Sequence, residues 1–324
     1  MYRGTARNLR LLAGKLRQGE LVAVPSETVY GLAGDALNPR ACRQIFKAKG
    51  RPHTDPLIVH IHKLEQLATI ARPNPAALAL ARKFWPGPLT LILPKQDVVP
   101  AVVTAGGASV AVRMPAHPLF RRLLELSGRP LAAPSANPFG YVSPTTAAHV
   151  RDGLGSRIRY ILDGGAARVG LESTIVDLRD PARPRLLRPG AIPMSAIGHV
   201  LGKVIARRSP VAGNPGQTQI APGMLKRHYS PRTPVQLHRK LSLAQVARAP
   251  ADEIWLFLKR PAGKLSRNVR WLDARGNLKG AARRLFSRLR ELDNGKHAKI
   301  HLELAAGTGL AEAINDRMRR AAAQ

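Results

Sequence analysis

Short apolar segments alternate with amphipathic segments along this chain, and the alternation limits the folds that it can adopt. The apolar segments end at Gly, Pro, Ser or Asn, which is typical of strands in an α/β protein. Asn-Pro pairs open two of the amphipathic segments, as expected where a helix begins. The predicted strands cover residues 21–25, 57–61, 89–94, 109–113, 130–134, 158–163, 173–178, 185–187, 235–237, 253–258 and 299–304. The predicted helices cover residues 7–18, 38–49, 74–84, 117–126, 145–151, 278–292 and 310–321.

A change in composition after residue 202 divides the chain. Residues 203–232 contain several Pro and Gly and a cluster of cations but little apolar periodicity, which is typical of a linker. Strand and helix patterns resume beyond it. We therefore predict a sheet-containing domain over residues 1–202, a linker over 203–232 and a smaller α/β domain with a parallel sheet over 233–324.

The charge balance is the unusual part of the composition. Lys and Arg total 52 of the 324 residues against 20 Asp and Glu, so the formal net charge is +32. Because the cations are spread over the whole length, the charge indicates a surface that attracts polyanions, and RNA contact is one expectation. The single cysteine, Cys42, excludes an intrachain disulfide and a multi-cysteine zinc site. The sequence shows no N-terminal hydrophobic leader and no apolar run long enough to span a bilayer, so we expect a cytoplasmic protein.

The stretch from Lys49 to Ile61, KGRPHTDPLIVHI, carries the first candidates for ligand binding. Lys49 and Arg51 stand two residues apart, so in an extended segment their side chains point the same way. Pro52 and Pro56 bracket a short polar loop ahead of a predicted strand. Two cations on a rigid loop suit a polyphosphate. A solvated basic helix end is the alternative, since cations are favoured at helix C-termini.

Polar side chains recur at the ends of the predicted strands. They are Thr28, Lys49, Arg51, His60, Arg113, Ser135, Asn137, Ser143, Ser173 and Arg188. Spread over one sheet, they can converge on a single crevice. Each also has a structural alternative: the hydroxyls and the amide as turn formers or caps, His60 as a core histidine, and the arginines as surface charges. The sequence lacks a Walker-type phosphate loop, a G-x-G-x-x-G motif, an H-E-x-x-H motif and a G-x-S-x-G elbow, so a nucleotide would need another scaffold.

Seven segments resemble the threonylcarbamoyl-AMP synthases, in the same order and at the same spacing. They are PSETVYGLAGDA, KGRPHTDPLIVHI, WPGPLTLIL, SVAVRMPAHP, PSANPFGYVSPTTAAHV, LESTIVDL and LLRPGAI. APGMLKRHYSPRTPV resembles the interdomain linker of the long, two-domain type, and RRLFSRLRELD with GLAEAINDRMRRAA resembles the end of its C-terminal domain. The resemblance implies a catalytic domain with a twisted, open α/β sheet around a concave basic cavity, followed by a small Rossmann-like α/β domain.

The resemblance also implies a nucleotidyltransferase that joins L-threonine, bicarbonate and ATP, with Mg²⁺, into L-threonylcarbamoyladenylate and pyrophosphate for N6-threonylcarbamoyladenosine modification of tRNA. tRNA and tRNA-modifying proteins are further expected partners. By motif, the implied catalytic residues are Lys49, Arg51, Ser135 and Asn137. The implied nucleotide contacts are Arg51, Asp55, Ser109, Ser135, Ser143, Arg188 and Tyr229, and the implied L-threonine contacts are Thr28, His60, Arg113, Ala133 and Ser173. No side chain is expected to bind the metal by itself, since Mg²⁺ would be held through the ATP phosphates.

Two positions depart from the family pattern. Asp55 stands where Asn is common, which places an anion beside the expected phosphates unless a cation or Mg²⁺ pairs with it. Ala133 stands where a Ser or Thr hydroxyl is often found, which removes one hydrogen bond. Two alternatives stay open: a non-catalytic protein that binds double-stranded RNA on a concave basic sheet, and a carbamoyl-transfer enzyme of the same fold. The linker is expected to close over the nucleotide, with Tyr229 shielding the adenylate from water.

Overall fold

The computed structural model describes residues 1–207, 219–223 and 228–323, which form two sheets with helices packed on them. The strands are β1 Tyr2–Arg3, β2 Val22–Val24, β3 Gly31–Asp35, β4 Ile58–His60, β5 Leu89–Pro94, β6 Ser109–Arg113, β7 Leu131–Ala132, β8 Tyr160–Asp163, β9 Thr174–Asp177, β10 Arg185–Arg188, β11 Ala206–Arg207, β12 Val235–His238, β13 Glu253–Lys259, β14 Val269–Asp273 and β15 Lys299–Glu303. The helices are α1 Ala6–Arg17, α2 Pro39–Lys49, α3 Leu67–Ile70, α4 Pro75–Phe84, α5 Pro118–Ser127, α6 Ala147–Leu154, α7 Met194–Leu201, α8 Leu243–Ala247, α9 Leu278–Leu292 and α10 Leu310–Ala322, with a 3₁₀ turn at Leu64–Gln66. Within these ranges no helix combines the length and the apolar character needed to cross a bilayer. The predicted α/β class, with a large open sheet followed by a small Rossmann-like one, is confirmed.

The first sheet is mixed, and its strand directions bring three strand ends to one edge. Within the described residues its order is β1-β8-β2-β3-β7-β4-β6-β5-β9-β10-β11. β4 runs parallel to β6, with His60 beside Arg113, whereas β5 is antiparallel to β6 and parallel to β9. The C-terminal ends of β4 and β6 therefore lie at the same edge as the N-terminal end of β9, which Ser173 precedes.

The second sheet is parallel throughout, in the order β12-β15-β13-β14, as the sequence predicts. Different helices cover its two faces. Ile254 and Leu256 of β13 pack with α9 and α10, whereas Trp255 and Phe257 pack with α8. Successive side chains of a strand point to opposite faces, which explains this division. The chain therefore leaves β12 toward one face and leaves β15 toward the other.

Asparagine caps begin two of the predicted helices. The side-chain oxygens of Asn38 and Asn74 accept hydrogen bonds from first-turn amides of α2 and α4, and each asparagine is followed by a proline. α2 ends at Lys49 because Gly50 adopts the left-handed conformation, with φ of 64°. Lys49 is thus the last residue of a helix. The expectation that Lys49 and Arg51 point the same way from one extended segment is wrong.

Several elements carry too weak a local pattern to be predicted. β3 is rich in Gly and Ala, which favour strands poorly, and it forms because β2 and β7 pair with it on either side. α7, α8 and β14 were not predicted either, and β1 and β11 are two residues long each. Tertiary pairing and packing, which a single segment does not reveal, determine these elements.

The predicted linker is described only in part. Residues 203–207, 219–223 and 228–232 are described, whereas residues 208–218 and 224–227, with Lys226 and Arg227, lie outside the described residues. β11 falls within the predicted linker and pairs in parallel with β10, so the first sheet extends past residue 202. His228 and Tyr229 are buried.

A buried ion pair holds the second domain against the first. Arg317 of α10 is 0% exposed, and its Nε donates to Oε2 of Glu172 at 2.8 Å. Its Nη1 donates to Oδ2 of Asp316 at 2.7 Å and to the carbonyl oxygen of Pro189 at 3.1 Å. A buried charge is stable only with partners of this kind. The interface therefore depends on this guanidinium.

A second interdomain contact requires a glycine. Gly170 has φ of 79°, and a Cβ atom added to it would lie 2.4 Å from Cα of Arg283 in α9. Side-chain carbons do not approach a backbone so closely, so the loop and the helix pack backbone against backbone. The amide of Gly170 also donates to the carbonyl oxygen of Thr28 at 3.1 Å. The Thr28 loop is thereby tied to the domain interface.

Arg317→Ala is expected to lower the free energy of unfolding by about 3–5 kcal/mol, because it leaves the carboxylate of Glu172 buried without its cation and removes one of the two arginines that pair with Asp316. Urea denaturation followed by circular dichroism measures the change. The matched control is Arg319→Ala in the same helix, whose side chain is exposed and whose loss should cost less than about 0.5 kcal/mol. Equal losses in the two variants would contradict the ion-pair account.

Candidate active site

A small cavity lies at the edge of the first sheet where β4, β6 and the start of β9 meet, with a volume of about 50 Å³. Polar residues that flank these strands and residues of the linker surround it. The predicted site residues that line it are Thr28, Arg51, His60, Arg113, Ala133, Ser135, Ser173, Arg188 and Tyr229. These residues do converge on one crevice, and their roles there stay predictions.

Arg113 is fixed in this cavity by three neighbours. One Nη2 hydrogen is donated to the Glu27 carboxylate at 2.5 Å, Nη1 donates to Oγ1 of Thr28 at 3.0 Å, and Nε donates to the carbonyl oxygen of Gly87 at 3.2 Å. A guanidinium carries five N–H donors. One hydrogen on each Nη therefore has no acceptor within the described residues. Such a pair of donors suits a carboxylate ligand.

Ser173 and Arg188 form a second polar group on the lining. Oγ of Ser173 lies 2.7 Å from Oγ1 of Thr90 and accepts a hydrogen bond from Nη2 of Arg188 at 3.0 Å. Nε of Arg188 donates to the carbonyl oxygen of Ser173, also at 3.0 Å. The hydroxyl and the guanidinium are thus held in a fixed mutual position.

Lys49 lies behind the cavity and does not line it. Its Nζ donates to the carbonyl oxygens of Ser135 at 2.5 Å and Asn137 at 2.6 Å. Burial, followed by the neighbouring Arg51 charge, holds the pKa of Lys49 well below its ordinary value. The amide of Asn137 in turn donates to the carbonyl oxygens of Pro138 and Tyr141, each at 2.8 Å. In this conformation Lys49 fixes the Ser135–Asn137 segment from the inside.

Asp55, the first departure from the family pattern, pairs with Arg51. Oδ2 of Asp55 lies 3.0 Å from Nη2 of Arg51, a close ion pair whose angles do not meet hydrogen-bond geometry at the carboxylate. Arg51 also donates to the carbonyl oxygens of Asp55 at 2.9 Å and Pro56 at 2.7 Å. Burial raises the pKa of Asp55, and the charge of Arg51 opposes that rise. The extra anion is therefore matched by an adjacent cation.

Five predicted site residues lie away from the lining. Ser109 begins β6, at the opposite end of that strand from Arg113. Ser143 is 0% exposed and donates to Oε1 of Glu172 at 2.5 Å. Lys49, Asp55 and Asn137 do not line the cavity either. Any contact of these five with a ligand stays a prediction.

The linker contributes two aromatic side chains to the cavity. The rings of His228 and Tyr229 lie 4.1 Å apart, and the Tyr229 ring packs 5.3 Å from Phe286 of α9. Cζ of Arg317 lies 5.4 Å from the centre of the same ring. The remaining 50 Å³ is far below the roughly 300–1,000 Å³ of small-molecule sites. With these two side chains in place, the cavity is too small for a nucleotide.

Known proteins share both the sequence and this architecture. A family model described as "Telomere recombination" matches residues 14–190, and one described as "Threonylcarbamoyl-AMP synthase, C-terminal domain" matches residues 192–323. The chain is 42% identical to the threonylcarbamoyl-AMP synthase of Pyrococcus abyssi, over 97% of this chain and 93% of that protein. The chain belongs to the threonylcarbamoyl-AMP synthase family.

Further relatives of the family agree with this assignment. The threonylcarbamoyl-AMP synthase of Bacillus subtilis is 41% identical over 96% of this chain and 91% of that protein. The crystal structure of P. abyssi Sua5 complexed with L-threonine is similar with a TM-score of 0.90 and 41% identity, covering 98% of this chain and 94% of that one. The protein is therefore an enzyme, a transferase that makes threonylcarbamoyl-AMP for tRNA modification. The non-catalytic alternative is excluded.

Sequence reasoning missed two carboxylates that organise the site of this family member. Glu27 holds Arg113, and its Oε2 accepts from the amide of Ala116 at 3.0 Å. Glu172 lines the cavity between Ser143 and Arg317. Each acid directly precedes a predicted threonine contact, Thr28 or Ser173, in a chain with only 20 acids. That adjacency is the signal from which they could have been found.

His60 is a neutral histidine in this site. It is 3% exposed, its ring lies 5.2 Å from that of Phe120, and burial together with the charge of Arg113 lowers its pKa to about 3. The unfolded chain, with an ordinary histidine pKa near 6.5, binds more protons between these values. Folding stability from this residue is therefore fully present above about pH 6.5 and falls as the pH drops toward 3.

The His60 ring is expected not to titrate between pH 5 and pH 8. Nitrogen-15 NMR of histidine-labelled protein measures this directly, with His60→Gln to assign the resonance. The same pair tests the linkage, since the variant should lose less stability between pH 6.5 and 5 than the wild type, by up to about 1.4 kcal/mol per pH unit. A titration midpoint near 6.5 for His60 would show that the ring is hydrated and that this account is wrong.

Proposed function

We propose that the cavity joins L-threonine, bicarbonate and ATP into L-threonylcarbamoyladenylate and pyrophosphate. The single observation that carries the proposal is Arg113, a buried guanidinium held from behind by Glu27 and Thr28 with two donors left for a carboxylate. The P. abyssi relative in complex with L-threonine supports the same substrate. In this scheme the threonine amine attacks bicarbonate with loss of water, and an oxygen of the resulting carbamate then displaces pyrophosphate from the α-phosphorus of ATP.

On the threonine side, charge and hydrogen bonding divide between the two ends of the substrate. Arg113 binds the carboxylate through its two remaining N–H groups. Thr28, Ser173 and the neutral His60 offer polar contacts for the amine and the hydroxyl. Ala133 supplies no hydrogen bond, so its methyl group sets only the shape of the wall.

On the nucleotide side, catalysis is by positioning and charge stabilisation, because displacement at phosphorus needs no covalent nucleophile from the protein. Besides Arg113, the arginines on the lining are Arg51 and Arg188, and Ser135 is on the same lining. Lys49 acts with Asn137 by holding the Ser135 segment in place. Ser109, Ser143 and Asp55 contact the nucleotide in this proposal only after the cavity has opened.

Mg²⁺ is proposed to enter with ATP and to neutralise charge on its phosphates. Within the part of the chain that the structure describes, no group of three His, Cys, Asp or Glu could hold a metal ion. Asp55 lies beside Arg51, and its carboxylate oxygens have no hydrogen-bond partner among the described residues, so it fits an outer contact to a phosphate-bound cation. The residues present thus fit a metal that ATP supplies.

Two further expectations belong to the same proposal. The +32 charge supports contact with tRNA or with tRNA-modifying partner proteins, through an attraction that weakens with salt. A cytoplasmic location also stays a prediction.

The linker is proposed to be a lid that opens for ATP and closes over the adenylate. His228 and Tyr229 occupy the cavity, so ATP binding requires them to withdraw. Tyr229 has φ of 63°, an unfavourable backbone conformation for a residue with a side chain. Its fully buried hydroxyl has no hydrogen-bond partner within the described residues. Both features lower the cost of displacing the ring when a ligand arrives.

Arg113→Lys is expected to raise the KM for threonine by about tenfold to a hundredfold, because a lysine cannot present two parallel donors. The assay supplies ATP, bicarbonate and radiolabelled threonine and measures the labelled adenylate and pyrophosphate. The KM for ATP should change little. Arg129→Lys, at an exposed position, is the matched control. An unchanged KM for threonine would remove Arg113 from the substrate site.

Tyr229→Ala is expected to release adenylate that hydrolyses before it can be used, while the KM for threonine stays within about twofold. The reason is that the variant lacks the ring that covers the reacting groups. Measuring AMP formed per pyrophosphate released gives the leak, and Tyr2→Ala, remote from the cavity, serves as the control. A ratio equal to that of the wild type would return the linker to the role of a tether.

A further inference from the structure

A second cavity, of about 990 Å³, opens in the second domain and is separate from the site described above. It lies at the C-terminal ends of three parallel strands, where His238 ends β12, Lys259 ends β13 and Glu303 ends β15. Nothing in the proposed synthesis of the adenylate uses these residues. We call this cavity the C-terminal crevice.

The topology of the small sheet explains why a crevice forms at this edge. β12 and β15 are adjacent and parallel. The chain leaves β12 for α8 on one face and leaves β15 for α10 on the other, as the side chains packed against each helix show. Where the connections of neighbouring strands diverge in this way, an open α/β sheet binds its ligands.

The rim of the C-terminal crevice is strongly cationic. Arg239 and Lys240 follow β12, Lys259 ends β13, and Arg319 projects from α10. All four side chains are exposed. None of them forms an ion pair with any residue of the described ranges. Four converging cations, none of which is paired with a carboxylate of the described residues, favour an anionic ligand.

The acid on the lining, Glu303, forms no ion pair with these cations. Oε1 of Glu303 accepts from the amide of Leu241 at 3.3 Å, and its Oε2 accepts from the amide of Leu258 at 2.8 Å. The carboxylate thus ties the loop after β12 to β13. Because both of its oxygens accept hydrogen bonds from the backbone, the rim cations stay available to bind a ligand.

High net charge alone does not account for this concentration of cations. A cavity beside α6 and α9 places Asp152 and Glu291 next to its arginines. Another, at β9 and β10, places Asp177 and Asp180 next to its own. The cavity that carries Lys264 and Arg267 has no acid among the described residues of its lining, but it has two cations where the C-terminal crevice has four.

The floor of the crevice is built before any ligand arrives. Oδ1 of Asn315 accepts from the amide of Ala305, and its Nδ2 donates to the carbonyl oxygen of the same residue, both at 2.8 Å. These two hydrogen bonds fix the loop after β15 against α10. Leu258 and Leu304 add half-buried apolar surface to the lining. A ligand therefore meets a fixed, partly apolar floor below a cationic rim.

We propose that the C-terminal crevice binds a nucleoside phosphate. This proposal does not depend on which residues of the first domain make the adenylate. Its phosphates contact Arg239, Lys240, Lys259 and Arg319, and its base and ribose lie against the apolar floor. The volume matches, since sites for ligands of this size measure roughly 300–1,000 Å³. A free phosphate ion would leave the apolar part of the floor unused.

Isothermal titration calorimetry of the full chain with ATP tests the proposal. We expect two binding events per wild-type chain. Lys240→Glu combined with Arg319→Glu should weaken one event at least about tenfold, since two charge-assisted contacts are lost and reversed. The matched control is Lys264→Glu with Arg267→Glu, which makes the same change of charge at exposed positions of the same domain. Adenylate formation should be unchanged in both double variants, which confirms that they fold.

Arg51→Ala separates the two sites, because it should weaken the event that the crevice variant retains. A single ATP per wild-type chain would overturn the proposal. Equal weakening in the crevice variant and its control would also overturn it, by showing diffuse attraction. A short single-stranded RNA distinguishes the other source of phosphate: if the crevice variant loses RNA binding and keeps both ATP events, the assignment to a nucleoside phosphate is wrong.

Discussion

The carboxylate of Glu172 is the contact on which both the cavity and the domain arrangement depend. One oxygen accepts from Ser143 and the other from Arg317, so a residue of the first domain is satisfied only when the second domain is docked. A buried carboxylate without partners is costly. Since Glu172 also precedes Ser173 on the cavity lining, docking of α10 helps to fix the position of a substrate contact. The second domain therefore completes the catalytic domain.

Buried partners also fix the arginines around the cavity. Two of the cations proposed to act there are held by buried carboxylates, Arg113 by Glu27 and Arg51 by Asp55, and Arg188 is held by Ser173. A cation fixed in advance needs no reorganisation when charge develops during the reaction. In a chain with 52 cations and 20 acids, these few buried carboxylates select which arginines are rigid.

Local sequence signals predicted the parts of the structure that local interactions determine. The Asn-Pro caps located the starts of α2 and α4, and the apolar runs located β5 and β6 to the residue. Most of the polar residues predicted at strand ends do line the cavity. The contacts that the sequence did not predict join residues far apart in the chain. Lys49 donates to carbonyl oxygens 86 and 88 positions away, and Glu172 accepts from a guanidinium 145 positions away. β3 likewise depends on its neighbours for stability, so its own Gly and Ala residues gave no signal.

The close approach at Gly170 has a mechanical consequence. Because backbone meets backbone there, the motion that brings the domains together ends at a hard stop and cannot be softened by the rearrangement of side chains. At that separation the guanidinium of Arg317 reaches the carboxylate of Glu172 at 2.8 Å. The hydrogen atom that Gly170 carries in place of a side chain therefore sets the distance at which this buried ion pair can form.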